Sequence, residues 1–238
     1  MSSARPALAG VLKPASRARL LRWLRVILLV LLLGPALLLL IYRVAPVPVT
    51  PLMLVRMAQG YGLEKQWVPL SRISGHLPRA VIASEDNLFC RHAGIDWDAL
   101  REQIGRAMDG RSARGASTIS MQTVKNLLLW EGRDPLRKLL ETWLTPQAEL
   151  FLGKRRILEI YLNVAEMGPG LYGAEAAARR YFRKPARDLT AREAALLAAL
   201  LPAPLRWSKG MPSRFLQGRA RTIQTRIAQL GPLLDCAP

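Results

Sequence analysis

The longest apolar stretch of the chain runs from Val26 to Tyr42 and contains no charged residue. As a helix with a rise of 1.5 Å per residue, this stretch spans about 26 Å, near the lower limit for crossing a bilayer. Trp23 and Leu24 can lengthen the helix, and the aromatic ring of Tyr42 suits a membrane interface. The pattern therefore predicts one N-terminal transmembrane helix over residues 20–43.

Positive charges precede this predicted helix, at Arg5, Lys13, Arg17, Arg19, Arg22 and Arg25. Since cytoplasmic flanks carry an excess of lysine and arginine, we expect residues 1–19 to form a cytoplasmic tail and residues 44–238 an exported domain. A cleaved signal peptide is the alternative, but the apolar run is longer than a typical signal core. Pro46 follows Ala45 and disfavours cleavage there, so an uncleaved anchor is expected.

Beyond Met53 the spacing of apolar residues is mostly helical and predicts a mainly α domain. Helix start signals occur at Asp96, at Asp134 before Pro135, and at Thr190, which Glu193 follows at capping-box spacing. Further expectations are an apolar helix face of Trp97, Leu100, Ile104 and Met108, a helix start near Ser117, a kink or helix end at Pro146, a helix from Lys154 to Ala165 and a helix end at Pro202.

The charge balance narrows the class of partner. Lysine and arginine number 35 against 17 for aspartate and glutamate, which gives a formal net charge of +18 in 238 residues. Such an excess suggests an anionic bilayer, a phosphate-bearing substrate or nucleic acid. Nucleic acid is disfavoured, because the sequence has no zinc-binding spacing, no interleaving of aromatic and basic residues and no recognised binding motif.

The two cysteines, Cys90 and Cys236, lie far apart in the sequence. An oxidising compartment would allow them to form a disulfide. Because Cys236 lies in an irregular tail, two unpaired thiols are the favoured interpretation. Their spacing does not suggest a metal site.

Adjacent carboxylates at Glu85 and Asp86 are the first candidates for chemistry. Taken alone, such a pair is typical of a solvated surface. Here residues 81–83 and 88–89 are apolar, and a carboxylate beside apolar side chains has a raised pKa and can act as a general base. His92 follows shortly afterwards, and a lone histidine is more typical of a structural role than of catalysis.

Three further polar clusters follow along the chain. They comprise Gly115-Ala116-Ser117-Thr118-Ile119 with Gln122, Lys125 and Asn126, then Arg137 and Lys138 with Glu141, then Lys154-Arg155-Arg156 with Glu159-Ile160-Tyr161-Leu162-Asn163. Spacing alone is typical of a polar helix face, of ion pairs on a helix surface and of a solvated basic cluster. A helix that begins near Ser117 would also present N–H groups suited to a phosphate.

Together with the segment around Glu85, these clusters resemble, in order, the signature blocks of the peptidoglycan glycosyltransferases (glycosyltransferase family 51). The resemblance covers residues 65–208 and includes a further block from Gly173 to Ala178. It is closest to the short, monofunctional, membrane-anchored members. It implies a mainly α fold, with a lysozyme-like glycosyltransferase domain and a small apolar lobe near the membrane. This lobe should include part of residues 105–116, and no transpeptidase domain is expected.

The resemblance also implies roles for individual residues. Glu85 would be the general base that takes the proton from the 4-hydroxyl of the acceptor sugar, and Glu141 would be the second essential carboxylate. The residues expected to bind substrate are Asp86, Ser117, Gln122, Lys125, Arg137, Lys138 and Lys154, and those expected to be structural near the site are His92 and Asn126. Gly153 stands where many members have a serine before Lys154, which removes a hydroxyl contact.

The implied reaction is glycan-chain polymerisation on the outer face of the cytoplasmic membrane. A growing glycan on polyprenyl pyrophosphate would be transferred, with inversion, to the 4-hydroxyl of lipid II to form a β-1,4 bond. The implied partners are lipid II, the polyprenyl-linked glycan, anionic membrane lipids and cell wall synthesis proteins, but no nucleic acid. Mg²⁺ or Mn²⁺ near Glu85 or Glu141 is compatible with the family, no organic cofactor is expected, and the catalytic domain would be periplasmic.

Two other classes of function stay open at this point. A lytic glycosidase could use the same pair of carboxylates to degrade glycan, and would not need cations that face a phosphate. A non-enzymatic, membrane-anchored scaffold could use its charge to hold anionic lipid or nucleic acid. The scaffold predicts that Glu85→Gln leaves function intact and that binding depends steeply on salt.

Overall fold

The computed structural model describes residues 14–111, 115, 117–132 and 134–237. Within these ranges the helices are α1 Pro14–Tyr42, α2 Pro51–Ala58, α3 His76–Glu85, α4 Trp97–Met108, α5 Ile119–Leu128, α6 Pro135–Val164, α7 Ala174–Phe182, α8 Ala191–Leu200, α9 Pro204–Trp207 and α10 Arg214–Leu230. Short 3₁₀ turns lie at Leu70–Arg72, Ala186–Asp188, Ser208–Gly210 and Gly231–Leu234. The prediction of a mainly α fold is confirmed.

The first helix, α1, is long and apolar enough over Ser16–Tyr42 to cross a membrane, and an 18-residue window within it has a mean hydropathy of 2.8. Most of its apolar side chains are exposed, but Leu39 is fully buried where the end of α1 packs on α6. Arg156 of α6 donates hydrogen bonds to the backbone oxygens of Tyr42 and Ala45 and so fastens this end. The predicted span over 20–43 is therefore helical, whereas most of the predicted tail over 1–19 lies outside the described residues.

Helix start signals in the sequence mark real helix starts. Asp134 accepts a hydrogen bond from the backbone N–H of Arg137 at 2.8 Å, and Thr190 and Glu193 form a capping box. Asp96 accepts from the backbone N–H of Ala99 at 2.9 Å at the start of α4. These carboxylates and hydroxyls satisfy backbone donors that the first turn of a helix leaves unpaired.

The expectation that Pro146 kinks or ends a helix is wrong, because α6 continues through it. The break in α6 falls instead at Gly153, which has φ 72° and ψ 164°. Only glycine adopts such a conformation at little cost, whereas the Pro146 ring lies on an exposed face and meets solvent. The predicted helix from Lys154 to Ala165 is confirmed as the second arm of α6, which ends at Val164.

The predicted apolar face of α4 is helical but does not join the core of the described residues. Trp97, Ile104 and Met108 are exposed by 56%, 53% and 83%. Helical spacing shows which residues share a face, but it does not show what covers that face. Residues 112–114 and 116 of the expected small lobe lie outside the described part of the chain.

The core forms around α3, α5, α6, α8 and α10. In the described residues α5 packs on α6, α8 packs on both α3 and α10, and the fully buried side chains include Phe89, Tyr161 and Tyr172. Since α3 is flanked by α8 and α10, its C-terminal end has a fixed position in the domain.

A small sheet of β1 Glu64–Lys65, β2 Glu166–Gly168 and β3 Leu171–Tyr172 lies beside this core in the order β1-β3-β2. β3 pairs in parallel with β1, where Glu64 is opposite Leu171, and antiparallel with β2. Gly173 follows β3 with φ 82°, and a Cβ at this position would lie 2.7 Å from the backbone oxygen of Asn163. The chain can therefore pass from β3 into α7 only through a glycine.

Cys90 and Cys236 form a disulfide, so the expectation of two unpaired thiols is wrong. The segment after α10, which looks irregular in sequence, folds back over the loop after α3 and buries Leu234. Arg91 also binds Asp235 at 3.0 Å in this contact. Sequence separation concealed the proximity, because the fold returns residue 236 to the neighbourhood of residue 90.

Candidate active site

Glu85, the last residue of α3, lines an open cavity, and its hydrogen-bond donors among the described residues carry no charge. Val81 and Ile82, one turn earlier, are fully buried and hold the helix in place. Ser84 Oγ donates to Glu85 Oε1 at 3.1 Å, and Gln122 Nε2 donates to Glu85 Oε2 at 3.2 Å. No salt bridge in the described part of the chain neutralises this carboxylate.

Burial raises the pKa of Glu85 above its usual value, and the hydrogen bonds from Gln122 and Ser84 only partly oppose this. A carboxylate with a raised pKa is a stronger base while it stays ionised near neutral pH. The hydroxyl of Tyr161 donates to Gln122 Oε1 at 3.0 Å, which turns the amide nitrogen toward Glu85. Burial raises the pKa of Tyr161 well above its usual value, so this hydroxyl keeps its proton.

Asp86 is buried and organises the loop after α3. Its carboxylate accepts hydrogen bonds from His92 Nε2 at 2.9 Å and from the backbone N–H of Ile119 at 2.9 Å. Because His92 Nδ1 accepts from the backbone N–H of Gly94 at 3.0 Å, the ring proton lies on Nε2 and points at Asp86. Asp86 and His92 thus join the end of α3 to the start of α5.

Glu141, on the first arm of α6, is only 1% exposed. Its two oxygens bind Arg137 and Lys138, and the distance from Lys138 Nζ to Glu141 Oε1 is 2.8 Å. Lys138 Nζ also donates to Ser117 Oγ at 2.8 Å. A buried carboxylate between two cations is a fixed counter-ion that sets their orientation, which is a different environment from that of Glu85.

Glu85 and its partner Gln122 line different cavities. The wide cavity, about 480 Å³, is lined by the end of α3, the start of α4, the loop before α5 and the end of α10, and includes Glu85, Asp86 and Ser117. The narrow cavity, about 180 Å³, is lined in part by Gln122, Lys125, Asn126 and Tyr161. The hydrogen bond between Glu85 and Gln122 therefore connects the walls of two cavities.

Lys125 brings an unneutralised positive charge to the narrow cavity. Burial lowers the pKa of Lys125, and no salt bridge in the described ranges involves its ammonium group. Such a group gains a partner and loses its desolvation penalty when an anion enters the cavity. Asn126, expected to be structural, is buried beside it and lines the same cavity.

Lys154 lies apart from both cavities. Its ammonium group binds Glu149 at 2.7 Å and lies 4.5 Å from the centre of the Phe89 ring. Glu149 also accepts a hydrogen bond from the hydroxyl of Ser120. The structure thus places Lys154 behind the loop of Asp86, and its expected contact with phosphate stays a prediction.

Two carboxylates near the site already have hydrogen-bond or ion-pair partners for their oxygens. Glu141 has both oxygens bound to Arg137 and Lys138, and Asp86 has its oxygens bound to His92 and Ile119. Among the described residues, no group of three or more metal-binding side chains is gathered together. The expectation of Mg²⁺ or Mn²⁺ stays untested, and no step below depends on a metal.

Sequence reasoning missed two contributors to the site. The sequence does not single out Ser84, and it marks Tyr161 only as a member of the cluster that follows Lys154. Tyr161 carried a usable signal, because a tyrosine between Ile160 and Leu162 is expected to be buried, and a buried hydroxyl needs a hydrogen-bond partner. Ser84 carried no such signal, since its contact with Glu85 depends on where α3 ends.

Comparison with known proteins decides the family. The family model described as Transglycosylase matches residues 53–228. The chain belongs to the transglycosylase family. A biosynthetic peptidoglycan transglycosylase of Rhodospirillum centenum is 53% identical over 211 residues, covering 88% of this chain and 91% of the relative. A protein of the same name from Caulobacter vibrioides is 48% identical over 221 residues, covering 92% and 96%.

In this transglycosylase, the residues expected from the resemblance form two groups. Glu85 and Asp86 line the wide cavity, Gln122 and Lys125 line the narrow one, and His92 binds Asp86 from the loop after α3. A second group of Ser117, Arg137, Lys138 and Glu141 forms one connected set of ion pairs and hydrogen bonds. Glu85 is therefore a carboxylate that uncharged donors hold in place. Arg137 and Lys138 are cations that Glu141 already orients.

Proposed function

We propose that this chain polymerises the glycan strands of peptidoglycan from lipid II. The observation that carries the proposal is the position of Glu85, a carboxylate with a raised pKa that lines one cavity and is hydrogen-bonded to Gln122 in the wall of another. Such a group can take a proton from a hydroxyl in the wide cavity. The family and the named relatives support the same reaction class.

In the proposed reaction, Glu85 accepts the proton of the 4-hydroxyl of lipid II as that oxygen attacks the anomeric carbon of the growing chain. The bond from that carbon to the pyrophosphate oxygen breaks, and polyprenyl pyrophosphate leaves with the electron pair. Attack from the face opposite the leaving group inverts the α-linked donor to a β-1,4 bond. Gln122 and Tyr161 hold the carboxylate in place through the hydrogen bonds described above.

The leaving pyrophosphate needs positive charge as its own negative charge develops. Arg137 and Lys138 are oriented by Glu141, and Lys125 lies in the narrow cavity and forms no salt bridge with any described residue. We assign these three cations to the donor pyrophosphate. A glycosidase that releases sugar to water would not need them, which favours synthesis over lysis.

We further propose that α1 anchors the chain in the inner membrane, with the N-terminus in the cytoplasm and the catalytic domain in the periplasm. The basic residues before the apolar run support this orientation. The disulfide between Cys90 and Cys236 is consistent with it, since such bonds persist in the periplasm. Anionic lipids and cell wall synthesis proteins are the proposed partners at this membrane.

The test is polymerisation of labelled lipid II by the purified full chain in detergent, with Glu85→Gln and Asp188→Asn alongside. Asp188 is an exposed carboxylate on a surface turn and lines neither cavity. We expect long, muramidase-sensitive glycan from the wild type and from Asp188→Asn, and at least a 100-fold loss in Glu85→Gln. Release of sugar from finished peptidoglycan without any polymer would favour the lytic function instead.

A further inference from the structure

Beside the narrow cavity, one arginine binds two glutamates that come from different parts of the chain. Arg56 of α2 donates from Nη2 to Glu131 Oε1 at 2.9 Å and from Nε to Glu166 Oε1 at 3.2 Å. Its Nη1 donates to Gln59 Oε1 at 2.9 Å, so each nitrogen of the guanidinium group has an acceptor. Arg56 is only 7% exposed. One side chain therefore fastens α2 to the loop between α5 and α6 and to β2.

Both glutamates belong to the wall of the narrow cavity, and so does Lys125. Glu131 and Lys125 also line a smaller space of about 20 Å³, together with Leu52 and Trp130. The negative charge of Glu131 acts on Lys125 and raises its pKa against the larger effect of burial. Glu131 and Lys125 are therefore electrostatic neighbours in the wall of the same cavity.

Glu131 and Lys125 carry opposite charges but do not form an ion pair with each other. Within the described residues, the salt bridge of Glu131 is to Arg56 alone, and Lys125 forms none. The Glu131 side chain is 52% exposed, so burial does not fix its carboxylate. The position of this carboxylate therefore depends on the hydrogen bond that Arg56 donates.

Arg56 can hold Glu131 because Arg56 is itself fixed from the other side. Glu166 is buried and accepts the Nε–H of Arg56. Burial raises the pKa of Glu166, and the charge and hydrogen bond of Arg56 oppose that rise. The guanidinium group also lies 6.0 Å from the centre of the Tyr61 ring. Since the guanidinium group is planar and rigid, these contacts fix the direction in which its remaining N–H groups point.

Other charged groups also act on Lys125. Burial has the largest effect and lowers the pKa of Lys125, and the charges of Glu141 and Glu131 raise it. The charges of Arg137 and Lys138 lower it. Because Glu141 already forms ion pairs with both of these cations, it is not free to pair with Lys125. Of the two carboxylates, Glu131 is therefore the one that would pair with Lys125 once it is released.

We propose that Arg56 is a positioning residue that holds Glu131 away from Lys125 and so keeps Lys125 unpaired for the donor pyrophosphate. The proposal rests on the proposed function, which assigns Lys125 to that pyrophosphate, and adds a residue of α2 that does not itself line the narrow cavity. In a partly desolvated cavity, an ammonium group bound to a glutamate must give up that partner before it binds phosphate. Arg56 removes this competition.

The variants are chosen so that one exposed carboxylate separates the test from its rescue. Arg56→Gln alone would leave the buried Glu166 unpaired, so the test variant combines Arg56→Gln with Glu166→Gln and releases Glu131 only. The rescue variant adds Glu131→Gln. The control combines Arg179→Gln with Glu175→Gln, which removes a similar pair of an arginine and a buried glutamate on α7 that lines neither cavity.

The first readout is the rate at which a small amine-reactive reagent modifies Lys125 in the full chain, measured by mass spectrometry across a range of pH. Only the uncharged amine reacts, and a carboxylate beside an ammonium group raises its pKa. We expect the midpoint of the rate profile to lie about one pH unit higher in the test variant than in the wild type and to fall again in the rescue variant. The control should keep the wild-type midpoint.

The second readout is equilibrium binding of a labelled polyprenyl pyrophosphate. Its Kd should rise roughly 10-fold or more in the test variant, recover in the rescue variant and stay unchanged in the control. A wild type that binds polyprenyl pyrophosphate in this way but makes no polymer keeps the role of Arg56 and removes the synthase. Equal midpoints and equal affinities in the folded test and rescue variants would overturn the proposal, because Arg56 would then only support the fold.

Discussion

Two carboxylates of this site show how their surroundings divide the chemistry between them. Within the described residues, Glu85 receives hydrogen bonds only from Ser84 and Gln122, which carry no charge, while Glu141 is enclosed by two cations. A charge held by neutral donors in a partly dry site stays available for a proton. A charge that already forms two ion pairs is less available, which supports the proposal that Glu85 is the base and that Glu141 orients Arg137 and Lys138.

Opposite effects on stability follow from this difference. Because burial raises the pKa of Glu85, ionising it costs folding free energy, and the cost grows as pH rises through the folded pKa. Glu85→Gln should therefore unfold at a higher temperature than the wild type at pH 7, with a smaller gain at acidic pH. Glu141→Gln leaves Arg137 and Lys138 without a counter-ion and should lose about 3 kcal/mol. Calorimetry on both variants measures their unfolding temperatures. Equal changes in the two variants would contradict the predicted difference between Glu85 and Glu141.

Ser84 gives a prediction for the pH dependence of activity. Its hydrogen bond favours the charged form of Glu85, so Ser84→Ala should raise the pKa of that carboxylate further. The acid limb of kcat/KM should then move to higher pH, while the rate on the plateau changes little. The control is Thr222→Ala, because Thr222 lines a small cavity with Ser84 but has no bond to Glu85. If the acid limb does not move in Ser84→Ala, the titration that limits activity does not belong to Glu85.

At the scale of elements, two glycines with nearly the same conformation differ in what surrounds them. Gly153 interrupts α6 with φ 72° and has no atom within 4 Å of an added Cβ. Gly173 has φ 82° and lies against the backbone of Asn163, where an added Cβ would be 2.7 Å from the oxygen. The first position therefore restricts side chains by conformation only, and the second by conformation and by volume.

Alanine at these two positions should separate the two costs. Gly153→Ala should lose about 1–3 kcal/mol, the cost of a side chain in a region of φ and ψ reserved for glycine. Gly173→Ala should lose on the order of 4 kcal/mol or more, because the backbone of Asn163 must also move. Urea unfolding of both variants measures the difference, and equal losses would show that the contact at Gly173 relaxes freely.

Local signals predicted the elements better than their surroundings. Asp134, Thr190 and Glu193 marked helix starts correctly because a cap depends only on residues within one turn. Pro146 misled, because whether a helix tolerates proline depends on what packs against that turn. The exposure of the apolar face of α4 could not be predicted either, because spacing shows which residues share a face and tertiary contacts decide whether that face is buried.

At the scale of the molecule, the disulfide between Cys90 and Cys236 closes a loop with a sequence separation of 146 residues. It joins the loop after Glu85 to the segment after α10, and that segment contributes Leu233 to the wide cavity beside Leu230 at the end of α10. One covalent bond therefore connects two walls of the wide cavity. The family blocks predict the residues of the site but not this wall, because the wall depends on the path of the whole chain.

Breaking this bond should loosen both the fold and the cleft. Loop-closure entropy for a loop of this length corresponds to about 5 kcal/mol as an upper bound. Cys90→Ser with Cys236→Ser should therefore unfold at lower denaturant and show a higher KM for lipid II. Reductant should have the same effect on the wild type and none on the double variant. An unchanged midpoint in both would show that packing of Leu234 alone holds the wall.

The junction of α1 with α6 has a consequence for how far the enzyme can work from the bilayer. Arg156 donates hydrogen bonds to the backbone at the end of α1, and Leu39 is fully buried there. The end of the anchor is therefore fixed to the domain and is not joined to it by a flexible linker. An anchor fixed in this way sets the height of the wide cavity above the lipid. A lipid-borne sugar must reach that height at every round of addition. Strand length in the wall would then depend partly on this height, as well as on the chemistry of the site.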